Sequence, residues 1–235
     1  MSENSTRIIC PVCGKIDRSL VEIYKMKLRK QNFAISPILP TCKQCASEIE
    51  IYNPPKGAEL IVLNGTCGSG KSTIAGELMR RHGYSVIDGD CMLQVLRHRL
   101  GNKVDYNSEK ALEEIGREID ILAALGYMIV LSHIILPEDW GRYKAIFSKR
   151  GLKYRHFLLK PDIDTVISRC NTRTCHKSVT PEYWIRYFDE RLIFNENDGV
   201  VIIDNTDLSI DETVMRVIET SESEKHTRPA NYIDL

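Results

Sequence analysis

The stretch 60-LIVLNGTCGSGKST-73 decides the architecture. An apolar run leads into a glycine-rich loop, and the residues after the loop carry apolar side chains at helical spacing. Gly65, Gly70, Lys71 and Ser72 fit the Walker A pattern GxxxxGK[ST]. Glycines let successive backbone N–H groups converge on an anion, and the helix that follows aims its positive end at the same point. Phosphate is the natural occupant. On this reading Gly65, Thr66, Cys67, Gly68, Ser69, Gly70, Lys71, Ser72 and Thr73 cradle ATP, Lys71 reaches the β- and γ-phosphates, and the Ser72 hydroxyl meets Mg²⁺. A glycine turn without a ligand is the competing reading. The strand before the loop and the helix after it argue against that.

Working outward, strand and helix patterns alternate. Ser72 to His82 carries Ile74, Leu78 and Met79 at helical spacing and stops at Gly83. Ser85 to Ile87 reads as a short strand ending in 88-DGD-90, followed by a helix marked by Met92, Leu93, Leu96 and Leu100. Leu112, Ile115, Ile119 and Leu122 mark a further helix. The run 127-YMIVLSHII-135 is too short for a membrane span and rich in β-branched residues, so it reads as a central strand. Pro137 opens a helix to about Arg150, Tyr154 to Leu159 and 200-VVIID-204 are strands, and Ser209 with Glu212 forms a capping box. This alternation predicts an α/β fold: a parallel five-stranded sheet with helices on both faces.

The residues quoted resemble the small-metabolite branch of the nucleoside-monophosphate-kinase-like P-loop kinases, which includes shikimate, gluconate and adenylylsulfate kinases and chloramphenicol phosphotransferase. The resemblance covers about residues 58 to 220. It rests on 65-GTCGSGKST-73, on 88-DGD-90, on the arginines of 169-RCNTR-173, and on 203-IDNTD-207 closing the last strand. It implies that Asp88 stands near Mg²⁺ and that Asp90 meets the acceptor hydroxyl. Physical chemistry points the same way, because a carboxylate bonded to an acceptor hydroxyl both orients it and takes its proton. A plain Asp-Gly-Asp turn is the competing reading.

One departure from many P-loop proteins is the third strand, where 129-IVLSHIILPEDW-140 offers Ser132 and His133 in place of a Walker B aspartate. That favours a kinase over a motor or GTPase. His133 stands between a substrate contact and a purely structural role. The segment 169-RCNTRTCHKSVT-180 is the lid candidate, with Arg169 and Arg173 supplying positive charge over the γ-phosphate.

Cysteines Cys10, Cys13, Cys42 and Cys45 form two CxxC knuckles, which match a small N-terminal zinc-ribbon domain holding one structural Zn²⁺ through four thiolates. The spacing between the knuckles exceeds the usual roughly 15 to 20 residues, which a hairpin containing 24-YKMKLR-29 accommodates. Four thiolates leave no open position for catalysis. The break at 53-NPPKG-57 divides the chain into a ribbon (1–56), a kinase-like domain (57–220) and a polar tail (221–235).

Lys plus Arg equals Asp plus Glu at 32 each, so any nucleic-acid partner must use a local patch. The ribbon is mildly basic, with nine Lys/Arg against five Asp/Glu before residue 57, and its basic face reads either as such a patch or, the favoured reading, as a solvated face on a docking module. The N-terminus lacks the apolar core of a signal peptide, and no run reaches the roughly 18 apolar residues of a span. The expectation is a cytoplasmic kinase with a small-molecule phosphoryl acceptor and no membrane partner. Two alternatives stay open: a polynucleotide 5′-hydroxyl kinase that holds its strand with the ribbon, and a nucleotide-binding switch without transfer.

Overall fold

The computed structural model describes residues 59–82, 84–90, 92–93, 97, 108–124, 127–172 and 180–223. The ribbon residues, including Cys10, Cys13, Cys42 and Cys45, lie outside the described residues, as do Arg173 and the tail beyond residue 223.

Strand β1 (Glu59–Asn64) buries every residue from Leu60 onward, so it needs a neighbour on each edge and a cover on each face. It has all four. The sheet runs β2 (Ser85–Asp88), β3 (Ile129–Ser132), β1, β4 (Lys153–Leu159) and β5 (Val200–Ile203), with every pairing parallel. Side chains alternate across β1. Leu60 and Val62 join a core with Leu112, Ile115 and Ile119 of α2 (Glu109–Ala124) and with Trp140, Tyr143 and Phe147 of α3 (Pro137–Lys149). Ile61 and Leu63 face the other way, onto Ile74, Ala75 and Leu78 of α1 (Lys71–His82) and Val214 and Val217 of α6 (Ile210–Ser223). Among the described residues no helix is long and apolar enough to cross a membrane.

Local signals set the helix ends. Arg80, Arg81 and His82 in the last turn of α1 complement its negative end, while Pro137, Glu138 and Asp139 open α3. Ahead of α6, the Glu212 carboxylate accepts from Ser209 N at 2.8 Å and Glu212 N donates to Ser209 Oγ at 3.2 Å.

Two elements differ from the sequence reading. Strand β3 spans only Ile129–Ser132, since Tyr127 and Met128 are exposed before it and His133 to Leu136 turn away to begin α3. The first residues of the lid candidate, Arg169 to Thr172, form the end of helix α4 (Ile163–Thr172), opened by Asp162, whose carboxylate accepts from Thr165 N at 2.9 Å. Only Val166 and Cys170 of α4 are buried, too sparse a stripe to mark a helix in sequence. It is followed by α5 (Glu182–Arg191), which starts after Pro181.

His156 of β4 is buried against Trp140, with ring centroids 4.1 Å apart, and Phe194 at 5.1 Å. Burial pushes its imidazole down to about 3, against the opposing charge of Asp198. The folded protein thus binds no proton there while the unfolded chain does below pH ~6.5, so His156 withdraws stability as pH falls from ~6.5 toward its folded value. We expect urea-derived stability to fall between pH 6.5 and 4, and His156→Phe to make that slope shallower by about 1.4 kcal/mol per pH unit. An unchanged slope would contradict a buried neutral His156.

Candidate active site

Parallel pairing brings the carboxyl ends of the strands to one edge. Leu63 pairs with Ser132, Asp88 with Ser132, and Leu159 with Ile203. The loops after β1 and β3 leave toward opposite faces, which opens a crevice between them, the usual binding place in open α/β sheets. The phosphate loop fills one wall of it.

Backbone conformation explains the glycines. Gly65, Gly68 and Gly70 have φ of 142°, 85° and 101°, a region that side chains disfavour. Space is short as well. A Cβ on Gly65 would lie 2.5 Å from Leu159 O, and one on Gly68 would lie 2.6 Å from Cys170 Sγ.

Neighbouring elements hold the loop on several sides. Asn64, fully buried at the end of β1, accepts from Gly65 N at 2.7 Å and Ile135 N at 3.0 Å through Oδ1. Its Nδ2 donates to Ile135 O at 2.6 Å and to His156 Nε2 at 3.1 Å, which puts the His156 proton on Nδ1. Thr66 Oγ1 donates to Ile185 O of α5 at 3.2 Å, and Asn205 Nδ2 donates to Ser69 O at 3.0 Å. Sequence reasoning missed Asn64, Asn205 and Ile185 as supports. Asn64 left a signal, an amide ending an apolar run, and Asn205 lies within 203-IDNTD-207.

Lys71, the first residue of α1, is half-buried, and its Nζ donates to Gly65 O at 2.7 Å and Thr66 O at 2.9 Å. Burial pushes its ammonium below the ordinary lysine range, while Cys67, Asp90, Asp88 and Cys170 oppose the shift. The lysine and both aspartates of 88-DGD-90 therefore share one electrostatic neighbourhood. Asp88 is buried at the end of β2, Gly89 and Asp90 are helical, and Asp90 is exposed toward solvent.

His133 is buried beside this turn, and its backbone N–H donates to Leu63 O at 3.1 Å. Burial pushes its imidazole down to about 4, with Asp90 opposing and Lys71 reinforcing the shift. The ring occupies the space that a side chain on Gly89 would need. Arg169, in the last turn of α4, donates to Asn205 O at 3.0 Å and Thr206 O at 3.2 Å. One guanidinium nitrogen, Nη2, thus holds the loop after β5. Among the described residues no cluster of three or more His, Cys, Asp or Glu has the form of a metal site.

The fold and the loop geometry agree with what comparison finds. The profile of the AAA domain family AAA_33 matches residues 60–192, more than half of the chain. The chain belongs to this AAA domain family. It is 31% identical over 83 residues to the cytidylate kinase of Pseudomonas fluorescens, a match covering 35% of this chain and 36% of the relative. The AAA domain chain thus spans about a third of the length of that curated relative. Among solved structures it is similar to the tunicamycin resistance protein of Deinococcus radiodurans, with a TM-score of 0.57 and 20% identity over 70% of this chain and 95% of that one. It is also similar to the APS kinase of Mycobacterium tuberculosis, solved with AMPPNP and APS, with a TM-score of 0.52 and 23% identity over 72% and 99%. These likenesses show a P-loop kinase-like α/β fold.

The contact between Gly89 and His133 yields a direct test. Gly89→Ala is expected to cost about 1–3 kcal/mol by urea unfolding, and adding His133→Ala is expected to recover more than half of that. Additive losses in the double variant would contradict the packing.

Proposed function

We propose that this chain is an ATP-dependent kinase that transfers the γ-phosphoryl group to a hydroxyl of a small-molecule acceptor. The observation that carries this reading is the phosphate loop itself. Three glycines at positive φ shape it, and the Lys71 ammonium fills it from the side, within electrostatic reach of Asp90 and Asp88. A nest whose lysine bonds only backbone carbonyls has a ready exchange to make, carbonyl oxygen for phosphate oxygen.

In this reading residues Gly65 to Thr73 cradle the phosphates. Ser72 and Asp88 would hold Mg²⁺, which when bound neutralises charge on the phosphates. Lys71 leaves Gly65 O and Thr66 O for the β- and γ-phosphates. Asp90, exposed at the crevice, orients the acceptor hydroxyl and takes its proton as the new P–O bond forms. Arg169, which in this structure holds the loop at Asn205 and Thr206, and Arg173 supply charge over the γ-phosphate. Buried His133 holds the turn between the aspartates through Gly89. The relatives' names support a kinase, with acceptors as different as cytidylate and APS, and the acceptor of this chain is a separate question.

The N-terminal residues 1–56 are proposed as a zinc ribbon on Cys10, Cys13, Cys42 and Cys45, followed by the kinase domain at 57–220 and the tail at 221–235. Elemental analysis of protein prepared without chelator is expected to find one zinc per chain, lost in Cys10→Ser. Zinc-free wild-type protein would contradict the ribbon.

The kinase reading is tested by a phosphoryl-transfer screen over nucleosides, sugars, other metabolites and 5′-hydroxyl oligonucleotides. A small-molecule acceptor is expected. With that acceptor, Asp90→Asn should lower kcat by about a thousandfold or more while leaving Mg·ATP affinity within a few-fold. Transfer confined to oligonucleotides would replace the small-molecule acceptor by a polynucleotide end, and full activity of Asp90→Asn would remove its role as base.

A further inference from the structure

Two thiols meet at the phosphate loop, and the proposed transfer uses the side chain of neither. Cys67 stands inside the loop, partly exposed, between Thr66, whose carbonyl holds Lys71, and Gly68. Cys170 is buried on α4 and is not in a disulfide. Val166, Cys170 and Ile185 form a small apolar cluster between α4 and α5, and Cys67 packs against it. The approach is close. A Cβ on Gly68 would lie 2.6 Å from Cys170 Sγ, so the Gly68 Cα is within about 4 Å of that sulfur once a C–C bond of about 1.5 Å is added. The Cα of Cys67 is one trans peptide away, about 3.8 Å further at most. Lys71 lies in electrostatic reach of both thiols.

We propose that Cys67 and Cys170 form an oxidisable pair, a modification site at which a peroxide closes a disulfide that ties the phosphate loop to α4. The more exposed Cys67 thiolate attacks a peroxide oxygen; the O–O bond breaks, one water leaves after protonation, and Cys67 becomes a sulfenic acid. Cys170 thiolate then attacks Cys67 Sγ, the S–O bond breaks, and a second water leaves. Two thiols lose two electrons and two protons in all, and one hydrogen peroxide becomes two waters. The bond would join the residue beside Thr66 to the helix that carries Arg169. Lys71 must release Gly65 O and Thr66 O to meet phosphate, so a tether one residue away opposes nucleotide entry. Reduction by a dithiol restores the open loop.

The full-length protein is treated with hydrogen peroxide, then alkylated, digested without reductant and mapped by mass spectrometry. A peptide linking Cys67 to Cys170 is expected, together with at least about a tenfold rise in the Mg·ATP concentration that half-stabilises the protein against heat, reversed by dithiothreitol. In Cys170→Ser, dimedone should trap Cys67 as its sulfenic acid adduct, and Cys170→Ala provides the same trap should serine disturb the buried site. Linkage of Cys67 to Cys91 or Cys175 instead, or no Cys67 adduct and no link, would overturn the pair. A 67–170 link that leaves nucleotide stabilisation unchanged would overturn its effect on the loop. Reduced protein that ignores Mg·ATP would refute the proposed function, while the linked peptide alone would still decide whether the pair exists.

Discussion

Four hydrogen bonds of one buried side chain hold the site together. Asn64 ends β1 where the chain must stop being a strand and become a loop, and its amide satisfies Gly65 N, Ile135 N and Ile135 O at once while reaching His156. Each such bond contributes only about 1 kcal/mol net, yet a buried donor or acceptor left without a partner costs about 1–3 kcal/mol, so loss of the amide is felt several times over. The bridge spans β1 and the segment after β3, the two strand ends between which the crevice opens. It fixes how far apart the loop after β1 and the turn at His133 stand.

Everything at the strand ends follows from that spacing. With Gly65 pinned, the loop curls through three positive-φ glycines and returns to α1 with Lys71 at its first position. Loop and lysine are then closed in from the other side by Asn205 on Ser69 O and by Ile185 on Thr66. With Ile135 pinned, His133 is pressed onto Gly89, and the Asp88–Asp90 turn faces the lysine. A half-buried ammonium is costly without counter-charge, and the two aspartates supply it. The same groups that make Lys71 tolerable in the loop become the surroundings of a phosphate.

Much of this was legible in the chain. The five strands and the helices bounded by clear caps were readable because β-branched runs, Pro137, and the Ser209–Glu212 box each act within a few residues. The phosphate loop was readable for the same reason, since its glycines answer a local steric demand. Helix α4 was not, because only Val166 and Cys170 face the core and its opening depends on Asp162 capping Thr165. The long-range bonds of Asn64, Asn205 and Ile185 were missed because they span 71, 136 and 119 residues along the chain, and no local pattern encodes such a pairing. Arg169 was singled out in the sequence as a lid arginine, but its bonds to Asn205 and Thr206 belong to the tertiary fold and no local pattern announces them.

The central claim is that this loop is a phosphate cradle whose lysine trades backbone carbonyls for a nucleotide. Isothermal titration of Mg·ATP into the full-length protein tests it most directly. The account predicts one nucleotide bound per chain, and for Lys71→Ala an affinity lower by about a hundredfold, the loss of two or more charge-assisted bonds, with the fold intact by circular dichroism. Equal affinity in the two proteins, or no binding to wild type, would contradict it.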